Sequence, residues 1–152
     1  MKKFFFLFFV LLFFPSFAIS ESIFLSLKKS KVNVRYGPGF DYEVKYIYKK
    51  KNLPVKILDK KENWRKVIDI KKNGGWIHWS QLKKTNSFIT TDEKILFLKP
   101  SLFSKPIAKI QKGRLLLVEK CIAKWCKIKT EGYSGWIDYA NLWGGEDSLK
   151  RD

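Results

Sequence analysis

One stretch of this chain occurs twice. Residues 64–82 read WRKVIDIKKNGGWIHWSQL and residues 125–142 read WCKIKTEGYSGWIDYANL, with tryptophan first in each copy and Gly-Trp-Ile at 75–77 and 135–137. A repeated unit of about 60 residues is too long for a single solenoid repeat and suits a small domain. The chain is therefore predicted to contain the same small domain twice.

The first twenty residues have the pattern of a secretory signal peptide. Lys2 and Lys3 precede an unbroken apolar run over Phe4–Phe14, and small residues follow up to Ser20. The run is shorter than the ~20 apolar residues of a membrane-spanning helix, although retention as an anchor stays an alternative. We expect a signal peptide over residues 1–20, cleaved near Ser20, and a periplasmic or secreted mature protein.

The chain is strongly basic, with 31 Lys and Arg against 14 Asp and Glu and a formal net charge of +17. Such a balance favours a polyanionic partner. No helix-turn-helix, zinc-finger or RNA-binding signature is present, and export removes most nucleic acid from reach, so we expect no nucleic-acid partner. An acidic wall polymer or a weak contact with an anionic membrane surface remains.

Both copies consist of short predicted strands, and neither has helical periodicity. Val32–Arg35 alternates apolar and polar residues, and Tyr36–Tyr42 is a loop rich in glycine and proline. Small all-β units close into barrels that hide their strand edges, and because domains this small bury little surface alone, the two should pack together. The predicted divisions are a signal peptide at 1–20, a first barrel at 21–85, a short linker at 86–93, a second barrel at 94–143 and a polar tail at 144–152.

Turn residues predict where the strands reverse. Asn73-Gly74 predicts a two-residue hairpin, because both residues tolerate the positive φ that such turns require. Asn52 in the first copy corresponds to Gly113 in the second, and both accept the left-handed backbone region. The same turn is therefore expected at both positions.

The first strands of the two copies are aligned by their apolar residues. Leu96 and Leu98 are expected at the positions of Val32 and Val34. The loop that follows in the second copy, at residues 100–106, is shorter and has lost the aromatic-Gly-Pro-Gly pattern of the first. The copies are thus predicted to share a core and to differ in their loop surfaces.

These residues together resemble the bacterial SH3 (SH3b) domain, in the form of exported proteins with two tandem copies. The resemblance is carried in the first copy by Ser26-Leu27, Val32–Gly39, Asp41-Tyr42, Trp64 and Gly74–His78, and in the second by Cys121, Trp125–Cys126, Gly135–Ile137 and Leu142–Gly144. It implies an all-β fold of two tandem small SH3-like barrels. For related domains it also implies binding to cell-wall peptide or glycan, so peptidoglycan is the expected partner, with a periplasmic protein partner as the alternative.

The aromatic residues divide into two predicted classes. Tryptophans that recur in both copies are predicted to form the structural core, namely Trp64, Trp76, Trp125 and Trp136. In an SH3-like barrel the Gly-Pro-Gly loop borders the groove that grips an extended peptide. The ligand-binding candidates around it are Arg35, Tyr36, Phe40, Tyr42 and Trp79. The alternative is that Tyr42 and Trp79 merely cover the end of the barrel.

Cys121 and Cys126 are the only cysteines and flank a predicted hairpin. In an oxidising compartment they predict a disulfide, at positions that Lys60 and Arg65 occupy in the first copy. A zinc site needs more ligands than two cysteines and one histidine, and a redox pair is more often spaced Cys-x-x-Cys. We therefore expect no metal and no cofactor.

His78 is the only histidine and is predicted to lie on the surface. A general base needs a nucleophile and an orienting acid within hydrogen-bond reach, and the sequence indicates no such set. We expect a binding protein rather than an enzyme.

Overall fold

A computed structural model describes residues 24–145. The predicted signal peptide over residues 1–20 and most of the predicted tail lie outside the described residues. Between residues 24 and 145, no helix is long and apolar enough to cross a membrane.

The described chain forms two seven-stranded antiparallel sheets, which confirms the predicted all-β fold of two tandem SH3-like barrels. The strands of the first barrel are β1 Phe24–Leu27, β2 Val32–Arg35, β3 Val44–Tyr48, β4 Pro54–Lys61, β5 Trp64–Ile68, β6 Gly74–His78 and β7 Leu82–Lys84, with a short 3-10 helix at Trp79–Gln81 before the last strand. Those of the second are β8 Ser87–Thr90, β9 Lys94–Phe97, β10 Pro106–Ile110, β11 Leu115–Ile122, β12 Trp125–Thr130, β13 Tyr133–Asp138 and β14 Leu142–Trp143. The first sheet has the order β3-β2-β6-β5-β4-β1-β7, and the second has the equivalent order β10-β9-β13-β12-β11-β8-β14.

Each barrel encloses its own apolar core, formed by alternate residues of its strands. The buried core of the first barrel consists of Leu27, Val32, Val34, Tyr48, Val55, Val67, Ile77 and Leu82. That of the second consists of Phe88, Leu96, Ile110, Leu116, Cys126, Ile128, Ile137 and Leu142. Two separate cores in one short chain confirm that the repeat is a domain duplication.

The strand register gives the true correspondence between the two barrels. Arg35 is paired with Trp76 across β2 and β6, and Phe97 is paired with Trp136 across β9 and β13. Because Trp76 and Trp136 are the same position of the repeat, Phe97 occupies the place of Arg35.

The predicted alignment of the first strands is therefore wrong by two residues. Leu96 is fully buried and is the counterpart of Val34, whereas Leu98 is 56% exposed and follows the strand. A shift of two residues leaves every side chain on the same face of the sheet. The alternation of Val32 and Val34 could therefore not distinguish the two alignments.

Ser87–Thr90, which lies within the predicted linker, forms a strand of the second barrel. It pairs with β11 and β14, as β1 pairs with β4 and β7 in the first barrel. All four residues of the segment are buried. The connection between the barrels is thus shorter than the predicted linker.

Contacts join the two barrels directly, as expected for domains with small cores. The hydroxyl groups of Ser26 and Ser87, both fully buried, lie 2.9 Å apart. Trp143 Nε1 donates to the carbonyl of Pro54 at 3.0 Å, and its ring meets that of Phe24 edge to face at 5.0 Å. The barrels therefore share a contact surface between residues far apart in sequence.

One predicted turn is confirmed and one is wrong. Asn52 and Gly113 both have positive φ, at 63° and 82°. The Asn-Gly hairpin does not form, because Gly74 already pairs with Ile68 and the loop spans residues 69–73. The carboxylate of Asp69 accepts from the backbone N–H of Asn73 at 2.9 Å, which stabilises this wider loop.

Candidate ligand-binding groove

The register of β5 and β6 places the first-barrel tryptophans on the face opposite the core. Trp64 pairs with His78, and Trp76 lies two residues before His78 on the same face. Val67 and Ile77, which are fully buried in the core, lie on the other face. Trp64 is only 6% exposed and Trp76 is half-buried.

The second barrel has the same arrangement. Trp125 and Trp136 are buried, but neither belongs to the core cluster, whose β12 and β13 members are Cys126, Ile128 and Ile137. Three of the four tryptophans predicted to form the structural core are therefore buried, but none belongs to the apolar cluster inside either barrel. Three of them are buried on the outer face of the sheet, and Trp76 is half-buried there.

Trp64 is buried because other rings cover it. The ring of Phe40, from the loop after β2, meets Trp64 edge to face at 5.0 Å between centroids. His78 lies 5.3 Å from Trp64 and 5.4 Å from Phe40. These three rings form an aromatic cluster whose outer member, Phe40, remains 70% exposed.

Arg35 fixes the loop that carries Phe40. Its Nη1 donates to the carbonyl of Tyr42 at 2.6 Å and to that of Phe40 at 3.2 Å, and the guanidinium lies 5.7 Å from the centre of the Phe40 ring. The ring of Tyr42 lies against the Cα of Gly37, where a Cβ atom would collide with it. The glycine and the arginine therefore hold the loop in one conformation.

A groove of about 180 Å³ lies beside this cluster, lined by Lys31, Asn33, Arg35, Phe40, Trp64, His78, Ser80 and Gln81. Its lining contains two cations and no carboxylate. His78 Nδ1 lies 2.8 Å from Ser80 Oγ and accepts from the backbone N–H of Ser80 at 3.4 Å, which caps the 3-10 helix. The groove is thus aromatic on one side and polar on the other.

Two of the five predicted ligand-binding residues, Arg35 and Phe40, line this groove. Tyr36 is 64% exposed beneath Lys45, and Trp79 is 55% exposed, but neither contributes to the lining. Tyr42 acts through its carbonyl, which holds Arg35.

Sequence reasoning missed Trp64 and His78 as groove residues, because it placed one in the core and the other on an isolated surface. The signal that could have found them is their spacing. Successive residues of a strand point to opposite faces of the sheet. Trp64 is three residues from the core residue Val67 and His78 is one residue from the core residue Ile77, so both lie on the outer face.

The corresponding surface of the second barrel is different. Phe97, in the place of Arg35, packs its ring edge to face on Trp125 at 5.7 Å. Asp138 pairs with Trp125 and so occupies the place of His78. The second barrel therefore keeps a covered tryptophan but lacks the arginine and the histidine.

Cys121 and Cys126 form the predicted disulfide and pair directly across β11 and β12, with a Cα–Cα distance of 4.0 Å. Lys60 and Arg65 pair at the equivalent place in the first barrel, as the repeat predicts. Over residues 24–145, no group of three or more His, Cys, Asp or Glu side chains could hold a metal ion.

Comparison with known proteins identifies the family. The bacterial SH3 domain matches residues 28–84 and 91–144. The chain belongs to the bacterial SH3 domain family. No curated protein matches the chain.

Among solved structures, this chain is similar to NlpC2 and NlpC1 from Trichomonas vaginalis. NlpC2 is 17% identical with a TM-score of 0.36, over 80% of this chain and 47% of that one. NlpC1 is 16% identical with a TM-score of 0.37, over 80% of this chain and 45% of that one. The chain thus spans less than half the length of each.

Proposed function

We propose that this protein is an exported, non-catalytic binding protein whose first barrel recognises peptidoglycan. The observation that carries the proposal is the groove beside Phe40, Trp64 and His78, which combines an aromatic wall with two cations and no carboxylate. Bacterial SH3 domains related to this one bind cell-wall peptide or glycan. The aromatic wall and the two cations of the groove suit a sugar-peptide polymer that bears carboxylates.

The aromatic wall supplies the contact area for such a ligand. Phe40 is 70% exposed, yet its backbone is held by Arg35 and its ring rests on Trp64. A ring that is ordered before binding loses little conformational entropy when the ligand arrives. Exposed aromatic side chains of this kind supply much of the energy at binding surfaces.

The cations supply attraction for carboxylates. Lys31 and Arg35 line the groove, and the full chain carries a formal net charge of +17. A positive surface raises the association rate with an anionic polymer and makes binding dependent on ionic strength. Nη1 of Arg35 is engaged by two carbonyl groups, so its charge is held in a fixed position.

Binding is favoured over catalysis by the role of the Ser80–His78 contact. A serine hydroxyl close to a histidine could form a nucleophile and base. Here, however, Nδ1 of His78 also accepts the backbone N–H of Ser80 and caps the 3-10 helix. The groove lining offers no carboxylate that could orient the imidazole.

The test is co-sedimentation of the mature protein with purified sacculi. Phe40→Ala and Arg35→Gln should each weaken binding by roughly 5- to 30-fold, the effect of losing a residue worth about 1–2 kcal/mol. Trp79→Ala is the matched control, since Trp79 is an exposed aromatic residue of the same barrel outside the groove. Equal binding by wild type, Phe40→Ala and Arg35→Gln would refute the assignment.

A second candidate function, contact with an anionic membrane surface, is favoured by one loop of the second barrel. Leu98 and Leu102 are 56% and 62% exposed, Phe103 is fully exposed, and Lys99 and Lys105 lie in the same loop. Apolar tips flanked by lysine are suited to an anionic lipid interface. Vesicles of phosphatidylglycerol should bind the protein more tightly than phosphatidylcholine vesicles because of the lysines, and Phe103→Ser should weaken binding to both by removing an apolar contact.

A further inference from the structure

The two barrels differ in how they fill one end of the sheet. In the first barrel, the rings of Tyr46 and Tyr48 on β3 meet edge to face at 5.1 Å. The phenol of Tyr48 donates to the carboxylate of Asp69 at 3.2 Å and to the carbonyl of Asn73 at 3.3 Å. Asp69 is 5% exposed, so two phenol rings and a buried carboxylate close this end.

The strand register identifies what replaces these rings in the second barrel. Tyr46 pairs with a core valine of β2, and Ala108 pairs with the equivalent core leucine of β9. By the same register, Ile110 takes the place of Tyr48. Thr130 takes the place of Asp69. Val67 pairs with Gly75 and Ile128 pairs with Gly135, and Asp69 and Thr130 each follow the pairing residue by two positions. Both rings and the carboxylate are therefore lost.

The turn that covers this end is also shorter in the second barrel. Thr130 pairs with Tyr133, so only Glu131 and Gly132 lie between the strands, whereas residues 69–73 form the loop in the first barrel. Both turn residues have positive φ, at 45° and 86°, as a tight hairpin requires. Less chain is therefore available to fill the space that the rings vacate.

A pocket opens where the rings are missing. Its volume is about 410 Å³, and its lining consists of Ile107, Ala108, Lys109, Ile110, Gln111, Arg114, Thr130, Glu131 and Tyr133. This volume lies within the range of small-ligand sites, roughly 300–1,000 Å³. Ile107 is exposed, Ala108 packs against the core and Ile110 is buried, so these three aliphatic side chains form the apolar part of a lining that is otherwise mostly polar.

The rim of the pocket carries charges that a ligand can reach. Arg114 Nη1 lies 2.7 Å from Glu131 Oε1, with side chains 46% and 65% exposed. Lys109 forms a second exposed pair with Glu93 at 2.8 Å. Exposed pairs contribute little, typically below about 1 kcal/mol, so a ligand carboxylate can compete for the cations.

We propose that this pocket is a second binding site, which takes the tyrosine side chain of a partner peptide that carries an acidic residue next to that tyrosine. The first barrel provides the template for the ring, since its own phenol rings fill the equivalent space. The aliphatic side chains of Ile107 and Ala108 would contact the ring, and Arg114 and Lys109 would attract the carboxylate. The site is independent of the first-barrel groove, so each can fail without the other.

The test is an NMR titration of the full mature protein with N-acetyl-tyrosine amide. Amide signals of residues 107–110 and 130–133 should shift, and those of the first-barrel groove should not. The dipeptide N-acetyl-Glu-Tyr-amide should bind more tightly than N-acetyl-Lys-Tyr-amide at low ionic strength, because exposed charges are screened within ~10 Å at 0.1 M salt. Equal shifts with N-acetyl-leucine amide would refute the requirement for a ring.

Two substitutions fill the pocket with a ring that the first barrel carries at the equivalent position. Ala108→Tyr supplies the counterpart of Tyr46 and should weaken binding of N-acetyl-tyrosine amide by at least about tenfold, as expected for a filled central pocket. If Ala108→Tyr does not fold, Ile110→Tyr supplies the counterpart of Tyr48. Unchanged affinity in a folded filled variant would overturn the proposal.

Discussion

Replacing Cys121 and Cys126 together by alanine should destabilise the second barrel by an amount that the loop length sets. The two cysteines have a sequence separation of 5, so the bridge closes a loop of six residues. In the chain-entropy model, a loop this short removes about 7 cal/mol/K from the unfolded chain, which is about 2 kcal/mol at 25 °C. Cys126 is fully buried in the core, so loss of its sulfur adds to this cost.

Hydrogen exchange monitored by NMR can assign the loss to one barrel. Amides of Ile128 and Ile137 report on the second core, and those of Val67 and Ile77 report on the first. A loss of about 2 kcal/mol corresponds to roughly 30-fold faster exchange through global opening of the second barrel. Exchange in the first barrel should change little, since its core is separate.

The first barrel offers the reciprocal variant. Lys60 and Arg65 pair at the register position of the cysteines, so the double substitution Lys60→Cys/Arg65→Cys should form an equivalent bridge and stabilise that barrel by a similar amount. A reductant should abolish the gain. If reduction of the wild-type protein leaves hydrogen exchange in both barrels unchanged, the disulfide does not stabilise the second barrel by closing the loop, and the prediction is wrong.

Two further predictions concern the first barrel. Burial and the neighbouring phenol of Tyr46 raise the pKa of Tyr48 above its ordinary value of 10.0. The contribution of Tyr48 to the free energy of unfolding is therefore complete below about pH 10 and is lost as the pH rises further. Thermal unfolding followed by circular dichroism from pH 8 to 11 should show this loss of stability, and the loss should be smaller in Tyr48→Phe. Gly37→Ala should displace the ring of Tyr42 and loosen the loop that Arg35 holds, so sacculus binding should weaken while the melting temperature changes little. A variant that kept full binding would show that the loop conformation is not required.

The sequence predicts the fold well because the repeat is long and its turn residues have specific backbone requirements. Asn52 and Gly113 share a left-handed conformation in otherwise different surroundings, and a match of this kind is visible without coordinates. The first strands are different, because their only signal is a period of two. Any even shift preserves that period, so the replacement of Arg35 by Phe97 could not be recognised before the pairing with the Gly-Trp-Ile strand was known.

The tryptophans show a second limit of sequence reasoning. A large apolar residue that recurs in a repeat is normally assigned to the core, but burial can also come from a cover on the outer face. Trp64 is covered by Phe40, a loop residue distant in sequence, and no local pattern predicts that contact. Only the odd spacing of three residues between Trp64 and the core residue Val67 indicates that Trp64 lies on the outer face of the sheet.

The two barrels thus cover their outer-face tryptophans with different residues, and their exposed surfaces differ as a result. Each covers one of its two outer-face tryptophans with a phenylalanine. Phe40 comes from a loop, so the paired position of β2 can hold the cation of Arg35, whereas Phe97 itself occupies that position in the second barrel. At the other end of the sheet the relation is reversed, since the first barrel fills the space that the second leaves open at Ala108. The duplication therefore keeps one fold and places the open surface of each copy at a different end, so the two proposed sites would take two distinct ligands rather than one ligand bound twice.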